Sequence, residues 1–159
     1  MNIVIADERA DPPSTGASDE GGLLTLAAMV LDGESFPSST EVTVTMVDPH
    51  RITELNRDHL GKTGPTDVLS FPIEDLTPGT APALSPGDPP LLIGDVVICP
   101  AVVAERASDH GVGFEDEMAL MVVHGLLHLL GYDHQAAEEA EHMESVERRY
   151  LAAAGRARR

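Results

Sequence analysis

Residues 118–134 constrain this chain more than any other stretch. Met118 to Leu130 is apolar nearly all round, the pattern of a helix packed inside a domain, yet it carries His124 and His128, and His134 follows after Gly131. Two histidines four residues apart project from one face of a helix, one turn from each other. Gly131 stands where that helix should end, because glycine readily takes the left-handed conformation of a helix cap. The chain can then turn back and bring His134 towards the other two. A histidine on a buried helix is often just a hydrogen-bonded core residue. An unpaired polar ring in a core costs on the order of 1–3 kcal/mol, however, so three at this spacing without a shared purpose would be expensive. Three neutral imidazoles converging on a point make a zinc site, and three protein ligands leave a fourth position for water, as in catalytic rather than structural zinc. Nickel or iron would also suit three imidazoles.

The same spacing occurs in the metzincin proteases, H-E-x-x-H-x-x-G-x-x-H, where the glutamate after the first histidine is the general base. Here that position is Gly125, which cannot accept a proton. Zinc alone lowers the pKa of bound water to about 7, so hydrolysis does not require that glutamate. Asp133, beside the third histidine, is a candidate base or an orienter of a ligand; it is equally a plain turn residue, since Gly-Tyr-Asp is ordinary turn material.

The chain's 159 residues suit one domain, 1–159, with a workable core. Its formal net charge of −17 is unevenly spread: all 27 acids precede residue 148, whereas five of the ten basic residues, Arg148, Arg149, Arg156, Arg158 and Arg159, follow residue 147. Such a surface repels phosphate backbones and argues against tight, nonspecific nucleic-acid binding. A local basic patch, or recruitment through a basic protein partner, stays open. The basic tail 155–159 is either such a patch or a frayed, solvated terminus. No apolar run is long enough for a membrane span, and Met1-Asn-Ile-Val-Ile-Ala reads as a first strand, not a signal peptide. Cys99, the one cysteine, fits a reducing, cytoplasmic setting and a small buried side chain at a strand end.

Along the chain, residues 7–22 read as a polar loop and Leu23 to Leu31 as a short helix. Thr40 to Val47 alternates like a strand. Asp48-Pro49 opens a helix to about Leu60, with Ile52 and Leu55 inward, and Gly61 to Pro65 is a loop. Thr66 to Phe71 is a strand stopped by Pro72. Glu74 to Pro90 holds five prolines in a polar, alanine-rich context; it is expected to contribute nothing to a core and to be a mobile loop. Leu91 to Cys99 is a buried strand interrupted by Gly94-Asp95, and Pro100 starts a helix to about His110. Glu115, Asp116 and Glu117 favour the start of the histidine helix through its dipole. The last helix spans about Gln135 to Ala154, with Met143, Val146 and Tyr150 inward and its glutamates facing water. Interleaved strands and helices predict an α/β or α+β fold, α+β being adopted: a mixed sheet of about four strands surrounded by helices, the histidine helix central.

Taken together, two segments resemble a known family. His124-Gly-Leu-Leu-His-Leu-Leu-Gly-Tyr-Asp-His134 is similar to the zinc signature of the YbeY family, bacterial endoribonucleases of ribosomal RNA maturation, and Pro65-Thr-Asp-Val-Leu-Ser-Phe-Pro72 is similar to that family's second signature. Leu55-Asn56, Gly94-Asp95-Val-Val-Ile98, Met143 and Glu147 also match, so the resemblance covers residues 40–150 in order. It implies one zinc ion held by His124, His128 and His134, single-strand-specific RNA cleavage, maturation of the 16S rRNA 3′ end and ribosome quality control. It implies that Pro65 to Phe71 borders the active cleft, with Asp67 and Ser70 there either as substrate contacts or as strand-end hydrogen-bonding groups. Many members carry an arginine for the scissile phosphate where this chain has Leu60. An arginine would neutralise developing phosphoryl charge and leucine cannot. Lys62 and Arg57 are the nearby candidates to replace it, each alternatively a solvated surface charge.

The leading expectation is therefore a zinc-dependent, single-strand-specific endoribonuclease, with single-stranded rRNA, the small ribosomal subunit and basic ribosomal proteins as partners and no membrane. Two other classes remain: a zinc metallopeptidase of metzincin-like spacing, and a noncatalytic ribosome-assembly factor whose metal is structural.

Overall fold

The computed structural model describes residues 1–10 and 20–159. Its elements run β1 (Asn2–Asp7), α1 (Glu20–Gly33), β2 (Thr40–Met46), α2 (Pro49–Leu60), β3 (Val68–Pro72), β4 (Leu91–Ile98), α3 (Pro100–His110), α4 (Phe114–Leu129) and α5 (Ala137–Ala153). Helix α1 thus begins inside the segment expected to be loop, and residues 11–19 of that expectation lie outside the described residues. Together the elements make a single α+β domain. The strands form one sheet in the order β1-β2-β4-β3, with β1, β2 and β4 parallel and β3 antiparallel at the edge. An edge position is where a strand can end on Pro72 without losing a ladder hydrogen bond.

Strand β4 is continuous, not interrupted. Glu41 pairs with Leu92 and Val42 with Gly94, so Ile93 is the extra residue of a bulge. The bulge changes which residues point inward: Leu91 and Ile93 before it, Val96 and Ile98 after it. Without it, the period of two would turn one half of this strand's apolar side chains to the wrong face.

The main core lies between one sheet face and α1, α4 and α5; Val30, Val44, Val96, Leu127 and Leu151 are all fully excluded from solvent. A second, smaller cluster lies on the opposite face, where Ile52 of α2 meets Leu69, Val97 and Val102, with Leu55 against it. Helix α4 touches β3, β4, α1, α3 and α5, which explains its apolar circumference: nearly every side is a packed side.

Two expectations are corrected by burial. Segment 74–90 does reach the core, through Leu76, Ala81 and Leu84 packed against the main cluster. The glutamates of α5 do not all face water: Glu147 is 1% exposed. Nor is the arginine tail simply solvated, since Arg158 and Arg159 bond to the buried Glu147 and Glu117. No helix of the described residues is long and apolar enough to cross a membrane.

Candidate metal centre

The site starts with how closely α4 lies on the sheet. A Cβ added at Gly125 would sit 2.5 Å from Val96 Cγ1 and 3.3 Å from Val68 Cγ2, so even a methyl here would force helix or sheet to shift. The Ser70 hydroxyl donates to the Gly125 carbonyl at 2.9 Å and ties β3 to the helix at the same level. With this face on the sheet, His124 and His128 are half-buried, one turn apart at the helix's C-terminal end.

The turn that returns His134 is built by Gly131 and Tyr132. Gly131 has φ +98°, and a Cβ there would collide with the Leu76 carbonyl of the proline-rich segment; only glycine fits this conformation and this approach. Tyr132 N donates to Leu127 O at 3.0 Å. The buried Tyr132 hydroxyl donates to Glu34 Oε2 at 2.8 Å, which anchors the turn to the end of α1. Asp133 Oδ1 accepts from His134 N at 2.8 Å, so the aspartate shapes the turn, and the residue also lines the cleft.

The three imidazoles converge as the spacing requires. One donor atom from each of His124, His128 and His134 lies within 4.8 Å of the others. His128 Nδ1 is 2.9 Å from the Tyr132 carbonyl, which can only accept, and His124 Nδ1 is 2.9 Å from Glu147 Oε1. Both Nδ1 atoms thus face acceptors, which turns the two Nε2 atoms towards each other at 3.1 Å. Two such nitrogens can share a proton or a metal cation, and the separation suits two ligands of one tetrahedral ion at about 2.0–2.1 Å each. Burial, reinforced by the neighbouring His124 and His134, pulls the His128 pKa down to about 4, so the ring is neutral and ready to coordinate at physiological pH. Glu147 stays below the usual carboxylate range: burial alone would raise it, but hydrogen bonds from His124 and Arg158 outweigh that.

The triad opens onto a cleft of about 550 Å³ whose far wall comes from β3 and the start of the proline-rich segment. Asp67 and Ser70 both lie on that wall. Asp67, 7% exposed, accepts from its own neighbour Val68 N at 2.8 Å and from Arg106 of α3 at 2.7 Å. Leu60 is also on the cleft wall and 53% exposed. Lys62 and Arg57 are exposed and line no part of it, and Arg57 is paired with Asp58 at 3.0 Å. Among the described residues the cleft has no lysine or arginine on its walls but four carboxylates, Asp67, Glu74, Asp75 and Asp133. A divalent ion is favoured there; a phosphate is not, until that ion is present. Sequence reasoning missed the buried Glu147 behind His124 and the reach of Arg106 to Asp67. Both are long-range pairings, 23 and 39 residues apart, with no local pattern to betray them.

Comparisons with known proteins agree with this architecture. A family model described as Endoribonuclease YbeY matches residues 17–155. Relatives named Endoribonuclease YbeY include one from Thermobifida fusca, 40% identical over 96% of this chain and 93% of its own length. Another, from Acidothermus cellulolyticus, is 42% identical over 89% of this chain and 83% of its own. A third, from Frankia casuarinae, is 40% identical over 96% of this chain and 74% of its own. The solution structure of TM1509 from Thermotoga maritima superimposes with a TM-score of 0.59 at 27% identity, covering 95% of this chain and 90% of that one.

Proposed function

The chain belongs to the YbeY family of endoribonucleases, and from that premise we propose that it cuts single-stranded RNA at a zinc ion held by His124, His128 and His134, in maturation of the small-subunit rRNA 3′ end. The observation that carries the metal assignment is the convergence of one ring nitrogen from each histidine within 4.8 Å, with the His124 and His128 Nε2 atoms 3.1 Å apart and each of those rings fixed through Nδ1 by a different acceptor. Bound there, zinc would supply Lewis-acid stabilisation of the charge that develops on the phosphoryl group.

The chain's own residues do the rest. Ser70 and Asp67 hold β3 as a rigid wall opposite the imidazoles, through bonds to Gly125 and Arg106. A single strand laid in the cleft would lie between the β3 wall and the triad, with Leu60 and Asp133 also on the lining. Asp133, beside His134 in sequence and on the cleft lining, is the candidate to take a proton. Asp67 is already paired with Arg106, but Glu74, Asp75 and Asp133 leave the cleft acidic, so phosphate binding there would depend on the ion. The strongly acidic surface suits recruitment by basic ribosomal proteins better than direct grip on RNA. The metallopeptidase alternative lacks its base, and Gly125 has no room to gain one.

The test is cleavage of a single-stranded RNA spanning the small-subunit rRNA 3′ end by wild type and His128→Ala, each with zinc and with chelator. Cleavage by zinc-loaded wild type alone is expected. Equal cleavage by His128→Ala would assign the activity to a contaminant and refute the proposal.

A further inference from the structure

Behind His124 stands a carboxylate of α5, and the C-terminal tail reaches that carboxylate. Glu147, from the middle of α5, is 1% exposed and divides its carboxylate between two partners. Oε1 faces His124 Nδ1 at 2.9 Å, and Oε2 accepts from Arg158 Nε at 2.7 Å. Arg158 is itself only 16% exposed along its side chain and is steadied by Glu144 at 3.5 Å and by the Arg159 carbonyl at 2.8 Å. Arg159 makes a second tail contact of the same kind, to the buried Glu117 at 3.0 Å. Glu117, however, stands in the first turn of α4, two helical turns from His124, and has no bond to a histidine.

We propose that Glu147 and Arg158 are positioning residues of the metal centre: Arg158 occupies one carboxylate oxygen of Glu147 so that the other holds His124 with its Nε2 lone pair aimed at the ion. The inference rests on the reading that the three histidines bind a metal. A carboxylate behind a metal-bound imidazole fixes its tautomer and its ring orientation, and removing such a partner commonly weakens metal affinity about 10–100-fold. The added point is the arginine. A buried carboxylate with one oxygen unclaimed can rotate or draw in water; with Arg158 on Oε2 it has one orientation left. The tail is thereby coupled to the metal site through one chain of contacts, Arg158 to Glu147 to His124, while the Arg159 side chain holds the same tail at Glu117 and meets Arg158 only through a backbone oxygen that alanine keeps.

Glutamine at position 147 sharpens the prediction. Its single oxygen is the only group that can accept from Arg158, which turns the amide N–H₂ towards His124 Nδ1. A donor there selects the tautomer protonated on Nε2, the wrong one for coordination.

The experiment is zinc affinity of the purified full chain by competition with a chromophoric chelator, for wild type, Arg158→Ala, Arg159→Ala and Glu147→Gln, with the urea midpoint of each apoprotein measured alongside. Expected are losses of about 10-fold or more for Glu147→Gln and several-fold for Arg158→Ala, with Arg159→Ala within twofold of wild type although it removes an ion pair to an equally buried glutamate. Equal losses for Arg158→Ala and Arg159→Ala would reduce the tail to a general clamp and overturn the proposal, as would unchanged affinity in Arg158→Ala or Glu147→Gln. Failure of wild type to bind zinc at all would instead overturn the metal reading beneath it.

Discussion

Replacing Gly125 with alanine tests how the histidine helix is seated. Alanine in a helix interior gains roughly 0.5–1 kcal/mol over glycine, so on propensity alone the variant should be more stable. Packing opposes this. The new methyl would lie 2.5 Å from Val96 Cγ1 and 3.2 Å from Val96 Cγ2. Val96 is fully buried at the centre of β4, and a β-branched side chain has little χ1 freedom with which to move away. Helix and sheet must part instead, which also stretches the Ser70–Gly125 bond. Overpacking costs about 1–3 kcal/mol, and a 2.5 Å contact with a stiff, buried valine belongs in the upper part of that range at about 2–3 kcal/mol; less the propensity gain, the net expectation is a loss of about 1–2 kcal/mol, or a Tm lower by roughly 2–8 °C for a chain of this size. Urea unfolding of the apoproteins reads the first figure and calorimetry the second. Val96→Ala removes both atoms that clash, so in a double-mutant cycle the pair should be less destabilised than the sum of the singles by about 1 kcal/mol. A Gly125→Ala variant as stable as wild type, or a strictly additive cycle, would refute the close approach. It would also reopen the question of whether a protease-like base could stand at this position.

Three further outcomes follow from other contacts. Leu60→Arg places a cation on an exposed part of the cleft wall that has none; it should raise RNA affinity and cleavage several-fold at low salt, with the gain shrinking as salt rises, and equal activity at all salt concentrations would count against the cleft as the RNA path. The chain's two tyrosines, Tyr132 and Tyr150, both have raised pKa values, first from burial and then from the bond to Glu34. Their folded values lie above the unfolded value of about 10, so their contribution is complete below pH 10 and is lost as pH rises beyond it. Phenolate absorbance should therefore appear late and together with unfolding, and an ordinary titration centred near pH 10 in the native protein would contradict the buried network. Gly131→Ala should displace the turn from Leu76 and lower zinc affinity as well as stability, measurable with the same chelator competition; unchanged affinity would mean that this turn does not place His134.

Much of the site was legible because it is local. The i, i+4 pair on α4, the glycine stop and the third histidine ten residues on lie within one turn-length of helix and loop, where backbone periodicity alone decides direction. The same holds for the element order, since Val42, Val44 and Met46 alternate as a half-buried strand must, and Pro49 and Pro100 open helices. The bulge at Ile93 was visible only as an oddity at Gly94-Asp95, because a single inserted residue shows itself in the pairing with β2 and not in composition. Leu76, Ala81 and Leu84 were read as surface because three apolar residues scattered among prolines have no period; their burial depends on where the loop crosses α4's end.

What the sequence by itself determined was thus the fold class, the histidine helix and the convergence of His124, His128 and His134, all products of short-range geometry. Only the tertiary structure decided that Gly125 is glycine because a strand lies against it, that Glu147 is a partner of His124 rather than a solvated charge, and that the arginine tail docks on buried acids. Each of those depends on which groups from distant parts of the chain share one low-dielectric interior, where a carboxylate must find its partner or be excluded.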